Sequence, residues 1–206
     1  MLQQLRPALL SVLAFTILTG GIFPLIVWGI GQAAFNHQAN GSLVRDGENV
    51  IGSELIGQPF TRPEYFHGRP SAAGSGYDAA ASSGTNLGPT SDKLINGIAD
   101  DPATKDADES YSGVKQNAEA YRSENGLAAD APVPADAVTR SASGLDPHIS
   151  PENAALQIAR VAKARNIGED AVRKIVADHT EGRSLGIFGE PTVNVFAVNR
   201  ALDGAK

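Results

Sequence analysis

The segment 65–70 holds the residue types best suited to chemistry, because Tyr65, His67 and Arg69 alternate there with small or apolar neighbours. An imidazole can carry protons near neutral pH. A planar guanidinium binds carboxylates or groups of carbonyl oxygens through paired hydrogen bonds. A glycine and a proline in the same stretch favour a stiff turn. The segment therefore predicts either a recognition loop or a well-made turn, and residue types alone favour the turn.

A second stiff stretch follows at Asn86 and Leu87, which precede a Gly-Pro pair, and a third at 143–147, which reads Ser-Gly-Leu-Asp-Pro. Asn and Asp in such stretches often bond their own backbone, so these too are turns by residue type. If the loops meet a partner, the residues expected to contact it are Tyr65, His67, Arg69, Asn86 and Leu87.

Local signatures of catalysis are missing from the sequence, which has no nucleophile elbow, zinc-protease helix, phosphate-binding loop or dinucleotide-binding glycine motif. The four histidines share no helical face and no metal-ligand spacing. We therefore predict no catalytic residue and no metal site. A serine hydrolase assembled from distant residues stays open as an alternative, because triads come together in space.

Composition excludes several other classes of protein. The 206 residues carry 17 Lys and Arg against 23 Asp and Glu, with 6% aromatic residues, which argues against a nucleic-acid partner. The absence of cysteine excludes a disulfide scaffold, a thiol nucleophile and Cys-ligated metal. An acidic cluster within 100–109 lacks the ligand spacing of a calcium loop, so we expect a solvated surface there.

Residues 1–35 are predicted to be a short cytoplasmic N-terminus and a transmembrane helix. Segment 8–30 has no formal charge, and 13 of its 23 residues are Leu, Ile, Val or Phe. A helix of that length measures about 35 Å, enough for a hydrocarbon core of roughly 30 Å. A cleaved signal peptide ending near Ala33 is the alternative, although the apolar run is long for one. Arg6 before the span places the N-terminus in the cytoplasm and 36–206 outside.

One face of this helix is predicted to be small or kinked, because Thr16, Gly20, Pro24, Val27 and Gly31 recur at steps of three or four. Small faces let helix backbones approach closely in lipid. Thr16 and Gly20 are therefore candidates for contact with a membrane partner. Ordinary enrichment of glycine in transmembrane helices would produce the same pattern.

The extramembrane part, 36–206, is predicted to be one small extracytoplasmic α+β domain with a C-terminal helical part. Short strands are expected at 43–44 and 49–51 around an Asp-Gly turn, with a third at 54–56. An ordered loop is expected over 61–92, and an extended connector over 128–137.

Two helices are predicted to form a C-terminal hairpin. The first starts at the N-cap Ser150 and ends near Arg165. The second covers 169–179. The residues expected to be buried are Ala155, Ile158, Ala159 and Ala162 on the first helix, and Ala171, Val172, Ile175 and Val176 on the second. Segment 191–202 is ambiguous between strand and helix, and its length favours helix.

Taken in order, seven blocks of the chain resemble the family of C subunits of Kdp-type potassium-transporting ATPases. The blocks comprise 6–7 with 20–24, then 52–58, 65–72, 86–90, 141–151 and 160–162, and lastly 189–199. They span nearly the whole length, which makes the match far more specific than a single short motif.

The resemblance implies an accessory subunit of a high-affinity, ATP-driven potassium uptake pump in the bacterial plasma membrane. Its implied partners are a channel-like potassium-translocating subunit, a P-type ATPase subunit, a small membrane peptide and membrane lipid. The family is described as a catalytic chaperone for the ATP-hydrolysing subunit, so association with ATP is implied by that description alone, with no residue assigned and no firmly bound cofactor. A membrane-anchored hydrolase and an anchored solute-binding module are the alternatives.

Overall fold

A computed structural model of the chain describes residues 2–98 and 111–204. The acidic cluster predicted to be solvated, 100–109, lies outside them. The chain divides into two compact units, Met1–Ile51 and Gly52–Lys206. The helices are α1 (Leu2–Ile17), α2 (Phe23–Ala34), α3 (Asn36–Ala39), α4 (Asp92–Asn96), α5 (Val114–Asn125), α6 (Ala135–Val138), α7 (Pro151–Arg165), α8 (Glu169–Asp178) and α9 (Val195–Gly204). The strands are β1 (Leu43–Asp46), β2 (Asn49–Ser53), β3 (His148–Ile149), β4 (Thr180–Glu181) and β5 (Thr192–Asn194).

The first unit is dominated by one long helix, Gln3–Ala34, whose 32 residues have a mean hydropathy of 2.2 in their most apolar window. None of that window is buried within the protein. The length and composition suffice to cross a membrane. The prediction of a single N-terminal helix long and apolar enough to span is confirmed.

A π-helical turn, Leu18–Ile22, interrupts this helix between α1 and α2. It contains two glycines, and Pro24 follows at the start of α2, where a proline needs no amide hydrogen. A π turn bonds residue i to i+5 and so takes in more residues than an α turn. The regular α-helical spacing that was assumed to put Thr16 and Gly20 on one face is therefore interrupted between them. Both residues are exposed.

The predicted strands at 43–44 and 49–51 are confirmed as the hairpin of β1 and β2, with Gly47 in the left-handed region at φ 59°. The predicted third strand at 54–56 is wrong. Single hydrogen bonds hold this stretch in place of a strand ladder: the Asn194 side chain donates to the Glu54 carbonyl at 3.0 Å, and the Gly57 amide donates to the Leu145 carbonyl at 2.7 Å.

The core of the second unit lies between α7, α8, α9 and the sheet β3-β5-β4. Ser150 caps α7 by accepting a hydrogen bond from the Asn153 amide at 3.1 Å, and α7 ends at Asn166 in the left-handed conformation. Helix α8 packs on α7. Both predicted helices and their hairpin are confirmed, apart from the last residue of the second, His179, which caps α8.

The predicted buried faces were partly wrong, because Ala155, Ala159 and Ala171 are exposed. The α7 residues that are fully buried include two polar ones, Asn153 and Gln157, each 1% exposed. The prediction assumed that the buried face of a helix is its apolar face. Because Asn153 and Gln157 are buried, the observed buried face of α7 is rotated away from the predicted one. The reason they are buried is that loop groups bind them, as described below.

The predicted helix over 191–202 is wrong at its start and right from Val195 onward. Thr192–Asn194 is the central strand of the sheet, with His148 opposite Asn194 and Thr180 opposite Val193. Two neighbouring strands take the backbone bonds of this stretch, which outweighs its local preference.

A smaller cluster joins α5 and α6 through Tyr121, Ala137 and Val138. The predicted extended connector over 128–137 is therefore corrected, since its end folds into α6. The predicted ordered loop over 61–92 is confirmed up to Ser91, which caps α4. This long loop carries most of the residues considered next.

Candidate functional site

Two buried amide side chains hold the backbone of the loop at Phe66 and His67. Asn199 of α9 accepts a hydrogen bond from the Phe66 amide at 2.7 Å and donates to the Phe66 carbonyl at 2.9 Å. Gln157 of α7 does the same for His67, at 2.8 and 3.1 Å. Each side chain supplies the pair of bonds that a neighbouring β-strand would supply. Loop residues are thereby buried without leaving backbone groups unpaired.

Two arginines bind the carbonyl oxygens just before this point. Arg160 of α7 donates to the carbonyls of Pro63 and Tyr65 at 2.7 and 2.9 Å. Arg165 donates to the Glu64 carbonyl at 2.7 Å. Burial lowers the pKa of the Arg160 guanidinium below its usual value, with Glu124 acting in the opposite direction. These bonds make 63–67 a fixed part of the fold.

Tyr65 lies between two guanidinium groups, with Arg62 at 4.8 Å and Arg165 at 5.0 Å from its ring centre. Its hydroxyl accepts a hydrogen bond from Arg62 at 2.7 Å and donates to the Asp203 carboxylate at 3.0 Å. This half-buried tyrosine thus joins the loop to the end of α9.

His67 connects the loop to α5. Its Nδ1 lies 2.6 Å from Oε1 of Glu124, and its Nε2 lies 3.0 Å from the carbonyl oxygen of Arg62. The hydrogen bond from His67 lowers the pKa of the Glu124 carboxyl, against the opposing effect of burial. Both neighbours are hydrogen-bond acceptors.

Arg69 binds a carboxylate and a pair of backbone carbonyls, the two kinds of acceptor expected for a guanidinium. Its Nη1 donates to Asp146 Oδ2 at 3.0 Å, and its other nitrogens approach the carbonyls of Thr139 and Arg140 at 3.3 to 3.4 Å. Burial acts to raise the pKa of Asp146, but hydrogen bonds from His148 and Arg69 outweigh it and lower that pKa. All these groups belong to the same chain, so the guanidinium is used inside the fold.

A groove of about 370 Å³ runs between the loop and α5. His67, Arg69 and Glu124 line it together with the aromatic rings of Phe60, Tyr77 and Tyr121. The Tyr77 hydroxyl donates to the Arg69 carbonyl at 2.5 Å, and burial raises its pKa to about 12. Within the groove, Tyr77 is therefore bonded to Arg69 and His67 to Glu124, and the walls are mainly apolar.

The remaining candidates for partner contact do not line this groove. Asn86 is exposed and left-handed at φ 53°, and Leu87 beside it is half-buried. Thr16 and Gly20 belong to the first unit, where both are exposed. His67 and Arg69 share the groove, whereas Tyr65 contacts Arg165 and Asp203. All seven stay predictions as contacts with a partner.

Most residues that organise the loop were missed from the sequence: Glu124, Gln157, Arg160, Arg165 and Asn199. Asp146 belongs to the stiff stretch 143–147, but its bond to Arg69 was not predicted. Asp146, Arg160 and Asn199 fall within the blocks that carry the family resemblance, which is the one signal that could have found them. Within 2–98 and 111–204, no three His, Asp or Glu side chains form a group suited to a metal ion.

Serine hydroxyls near Arg69 are used to build turns. Ser71 donates to the Gly144 carbonyl at 2.6 Å, Ser141 accepts from the Gly144 amide at 2.8 Å, and Ser143 accepts from the Leu145 amide at 3.1 Å. A serine nucleophile needs a hydrogen bond to a general base. These bonds instead give the serines a structural use.

One long apolar helix followed by a mixed helix and sheet unit fits a single-span membrane protein. The family described as KdpC, K+-transporting ATPase, c chain, matches residues 5–204. The chain belongs to this family, which confirms the resemblance found in its sequence.

Named relatives match along the whole chain. The potassium-transporting ATPase KdpC subunit of Mycobacterium tuberculosis H37Rv is 53% identical over 204 residues, covering 98% of this chain and 99% of the relative. The subunit of that name from Caulobacter vibrioides NA1000 is 52% identical over 205 residues, covering 98% and 94%. The one from Koribacter versatilis is 46% identical over 207 residues, covering 100% and 97%.

Proposed function

We propose that this chain is an accessory subunit of an ATP-driven potassium uptake pump, and that it assembles and stabilises the complex. The observation that carries the proposal is that relatives named as potassium-transporting ATPase subunits match both the apolar helix and the domain that follows it. Its proposed partners are a channel-like potassium-translocating subunit, a P-type ATPase subunit and a small membrane peptide, within the lipid of the bacterial plasma membrane.

The contacts within the second unit support a role in assembly. Three side chains of the loop bind carboxylates of the same chain: Arg69 binds Asp146, His67 binds Glu124 and Tyr65 binds Asp203. Such a domain offers a fixed shape to a partner, and contacts that exist only in the complex stabilise it by mass action. The Asp-Lys-Thr-Gly phosphorylation motif of P-type pumps is absent from the sequence, so ATP hydrolysis belongs to a partner in this proposal.

The proposal includes an effect on the ATP-hydrolysing subunit, as a catalytic chaperone, that is transmitted through contact between subunits. Arg6 is the one charged side chain within 1–7, ahead of the uncharged segment 8–30, and phosphate sites need several amide donors or cations. If the domain lies outside the cytoplasm, it has no access to cytoplasmic ATP. An influence on nucleotide affinity therefore has to pass through the partner that binds the nucleotide.

Assembly is tested by gentle detergent extraction of the tagged full-length chain from cells that express the pump subunits. We expect a channel-like membrane protein and a P-type ATPase to co-purify in stoichiometric amounts. An unrelated tagged single-span protein extracted in parallel controls for capture by the apolar helix alone. Recovery of this chain without partners, from cells shown to contain them, would refute the proposal.

Topology is tested by placing single thiols in a chain that has none. Ala177→Cys lies on the exposed face of α8, and Gln4→Cys lies near the N-terminus. We expect a membrane-impermeant maleimide to label Ala177→Cys in intact spheroplasts and to label Gln4→Cys only after lysis. The reverse pattern would place the domain in the cytoplasm and reopen direct binding of ATP.

A further inference from the structure

The loop 183–190, which joins β4 to β5, presents three large apolar side chains to solvent. Leu185, Ile187 and Phe188 are 88%, 72% and 65% exposed. Single exposed apolar residues are ordinary on protein surfaces, but a cluster within four positions of one turn is the kind of patch that marks an interaction site. The packing of the second unit does not use these side chains.

The 183–190 loop is held in one conformation by its own hydrogen bonds. The Ser184 amide donates to the Phe188 carbonyl at 2.8 Å, and the Phe188 amide donates back to Ser184 at 3.0 Å. At its base, Arg183 and Glu190 form an ion pair at 2.6 Å. A loop that is ordered before binding loses little conformational freedom on binding, which favours affinity.

The tip of this loop is built in an unfavourable backbone conformation. Leu185 has φ 54° and Gly186 has φ 73°, both in the left-handed region. Glycine adopts this region freely and asparagine tolerates it, whereas leucine does so at a cost. The Leu185 side chain is strained and almost fully exposed, so packing within the fold does not offset its backbone strain. Contact with another molecule would offset it.

We propose that the 183–190 loop inserts Leu185, Ile187 and Phe188 into an apolar pocket of another protein subunit of the pump. The inference rests on the proposed function, and it identifies the surface through which the second unit docks. A narrow tip with three apolar side chains suits a pocket, where buried anchors supply most of the binding energy.

Charge argues for a protein pocket over the lipid surface. Residues 36–206 carry 16 Lys and Arg against 23 Asp and Glu, so this part of the chain has no excess of cations to bind anionic lipid headgroups. The basic residue of the loop, Arg183, is paired with Glu190. Segments that bind lipid surfaces usually carry free cations and interfacial Trp or Tyr, and the tip has neither.

Leu185→Asn separates docking from folding, because asparagine relieves the backbone strain while it removes the apolar contact. We expect the melting temperature of the full-length variant to stay equal to that of the parent chain or to rise. Its association with the pump subunits, measured by co-purification at increasing dilution, should weaken about tenfold or more. Leu55→Asn, at a residue that is 55% exposed elsewhere in the unit, should associate like the parent chain.

Each outcome bears on a separate proposal. If the parent chain brings down no pump subunit, the proposed function fails before the loop is tested. If the parent chain associates and Leu185→Asn associates equally well, the docking inference is overturned and the proposed function stands. Equal weakening of Leu55→Asn would also overturn it, because the loss would then follow from removing any exposed leucine.

The environment of the tip is identified in the assembled complex with Ile187→Cys, the sole thiol of the chain. We expect a water-soluble maleimide to react at least about tenfold more slowly with this thiol in the complex than in the chain alone, whereas Ala177→Cys reacts equally in both. A benzophenone attached to Ile187→Cys should crosslink to a protein subunit. Adducts with lipid only would assign the loop to the membrane surface and reject the pocket.

Discussion

Asn199 and Phe66 are joined by two hydrogen bonds, although 133 residues separate them in the chain. Both residues are buried, so the amide of Asn199 takes the place of water and of a neighbouring strand for the Phe66 backbone. The fixed shape of the long loop therefore depends on the last helix of the chain.

Replacing Asn199 by alanine should destabilise the protein strongly. Two buried backbone groups lose their partners at about 1–3 kcal/mol each, so we expect a total loss of roughly 2–6 kcal/mol and a melting temperature lower by about 5 °C or more. Thermal unfolding of the full-length chain in detergent measures this. Arg200→Ala, one residue further on an exposed position of α9, should melt like the parent chain. Equal melting of both variants would mean that the Phe66 backbone finds other partners.

A methyl group added at Gly144 should also be destabilising. Gly144 has φ 69°, and a Cβ atom there would lie 2.6 Å from the Ala73 amide nitrogen and 2.8 Å from the Ser83 carbonyl oxygen. Backbone atoms yield little, so Gly144→Ala should cost about 2 kcal/mol or more. Gly88→Ala is the matched control, because nothing lies within 4 Å of its added methyl group. Unfolding midpoints that are the same for both variants would contradict the close packing at Gly144.

Local signals in the sequence predicted the membrane helix, the hairpin of β1 and β2, and helices α7 and α8, whereas α5 was not predicted. Ser150 followed by proline marks the start of α7, and the apolar segment marks the membrane helix, because capping and hydrophobic length act within a few residues. The hydrogen bonds by which Gln157 and Asn199 hold the loop act over 90 and 133 residues. Neither Gln157 nor Asn199 has a neighbour in sequence that reveals its partner.

The same cause explains the wrong face of α7. Burial of Gln157 looked unfavourable from the sequence, since an amide is usually exposed. Once His67 supplies both hydrogen bonds, the amide belongs inside, and Ala155 and Ala159 turn to solvent. The strand at the start of 191–202 was missed for a related reason, because its two partners lie elsewhere in the chain.

Acid should destabilise the contact between the loop and α5. The hydrogen bond from His67 lowers the pKa of Glu124 below its ordinary 4.5. A carboxyl whose folded-state pKa is lowered contributes stability that is present above the unfolded value and is lost as the pH falls through the folded value. Melting temperatures of the parent chain should therefore fall as the pH is lowered from about 5 to about 3.

Glu124→Gln removes this ionisation, so its melting temperature should fall less over the same range. Glu119→Gln removes an exposed carboxylate of the same helix and controls for the change in net charge. The hydrogen bond to His67 would have no part in acid sensitivity if Glu124→Gln and the parent chain lost stability in parallel.

Arg69 and Asn86 should respond differently to substitution, although both are candidates for partner contact. Arg69 binds Asp146 and two loop carbonyls. Arg69→Ala should therefore lower the free energy of unfolding of the chain alone by about 1–3 kcal/mol, and with it the melting temperature. Asn86 is exposed and left-handed, and Asn86→Gly keeps that conformation without the side chain.

Asn86→Gly should therefore melt like the parent chain, and weaker recovery of pump subunits with it would place Asn86 at an interface. Full recovery would remove Asn86 from the set of contacts. Lowered recovery with Arg69→Ala carries the same meaning only at temperatures where that variant remains folded.

The π turn at Leu18–Ile22 lets the membrane helix hold one residue more than a regular α-helix of the same length. Consecutive residues of an α-helix are about 100° apart around the axis, so a one-residue deletion in α1 or α2 would rotate every side chain beyond it by about that angle. Deleting Gly20 or Gly21 would instead allow a regular α turn, which leaves the length of the helix and the direction of the α2 side chains against α1 nearly unchanged. The π turn is therefore the place where this helix can lose a residue and still present the same faces across a bilayer.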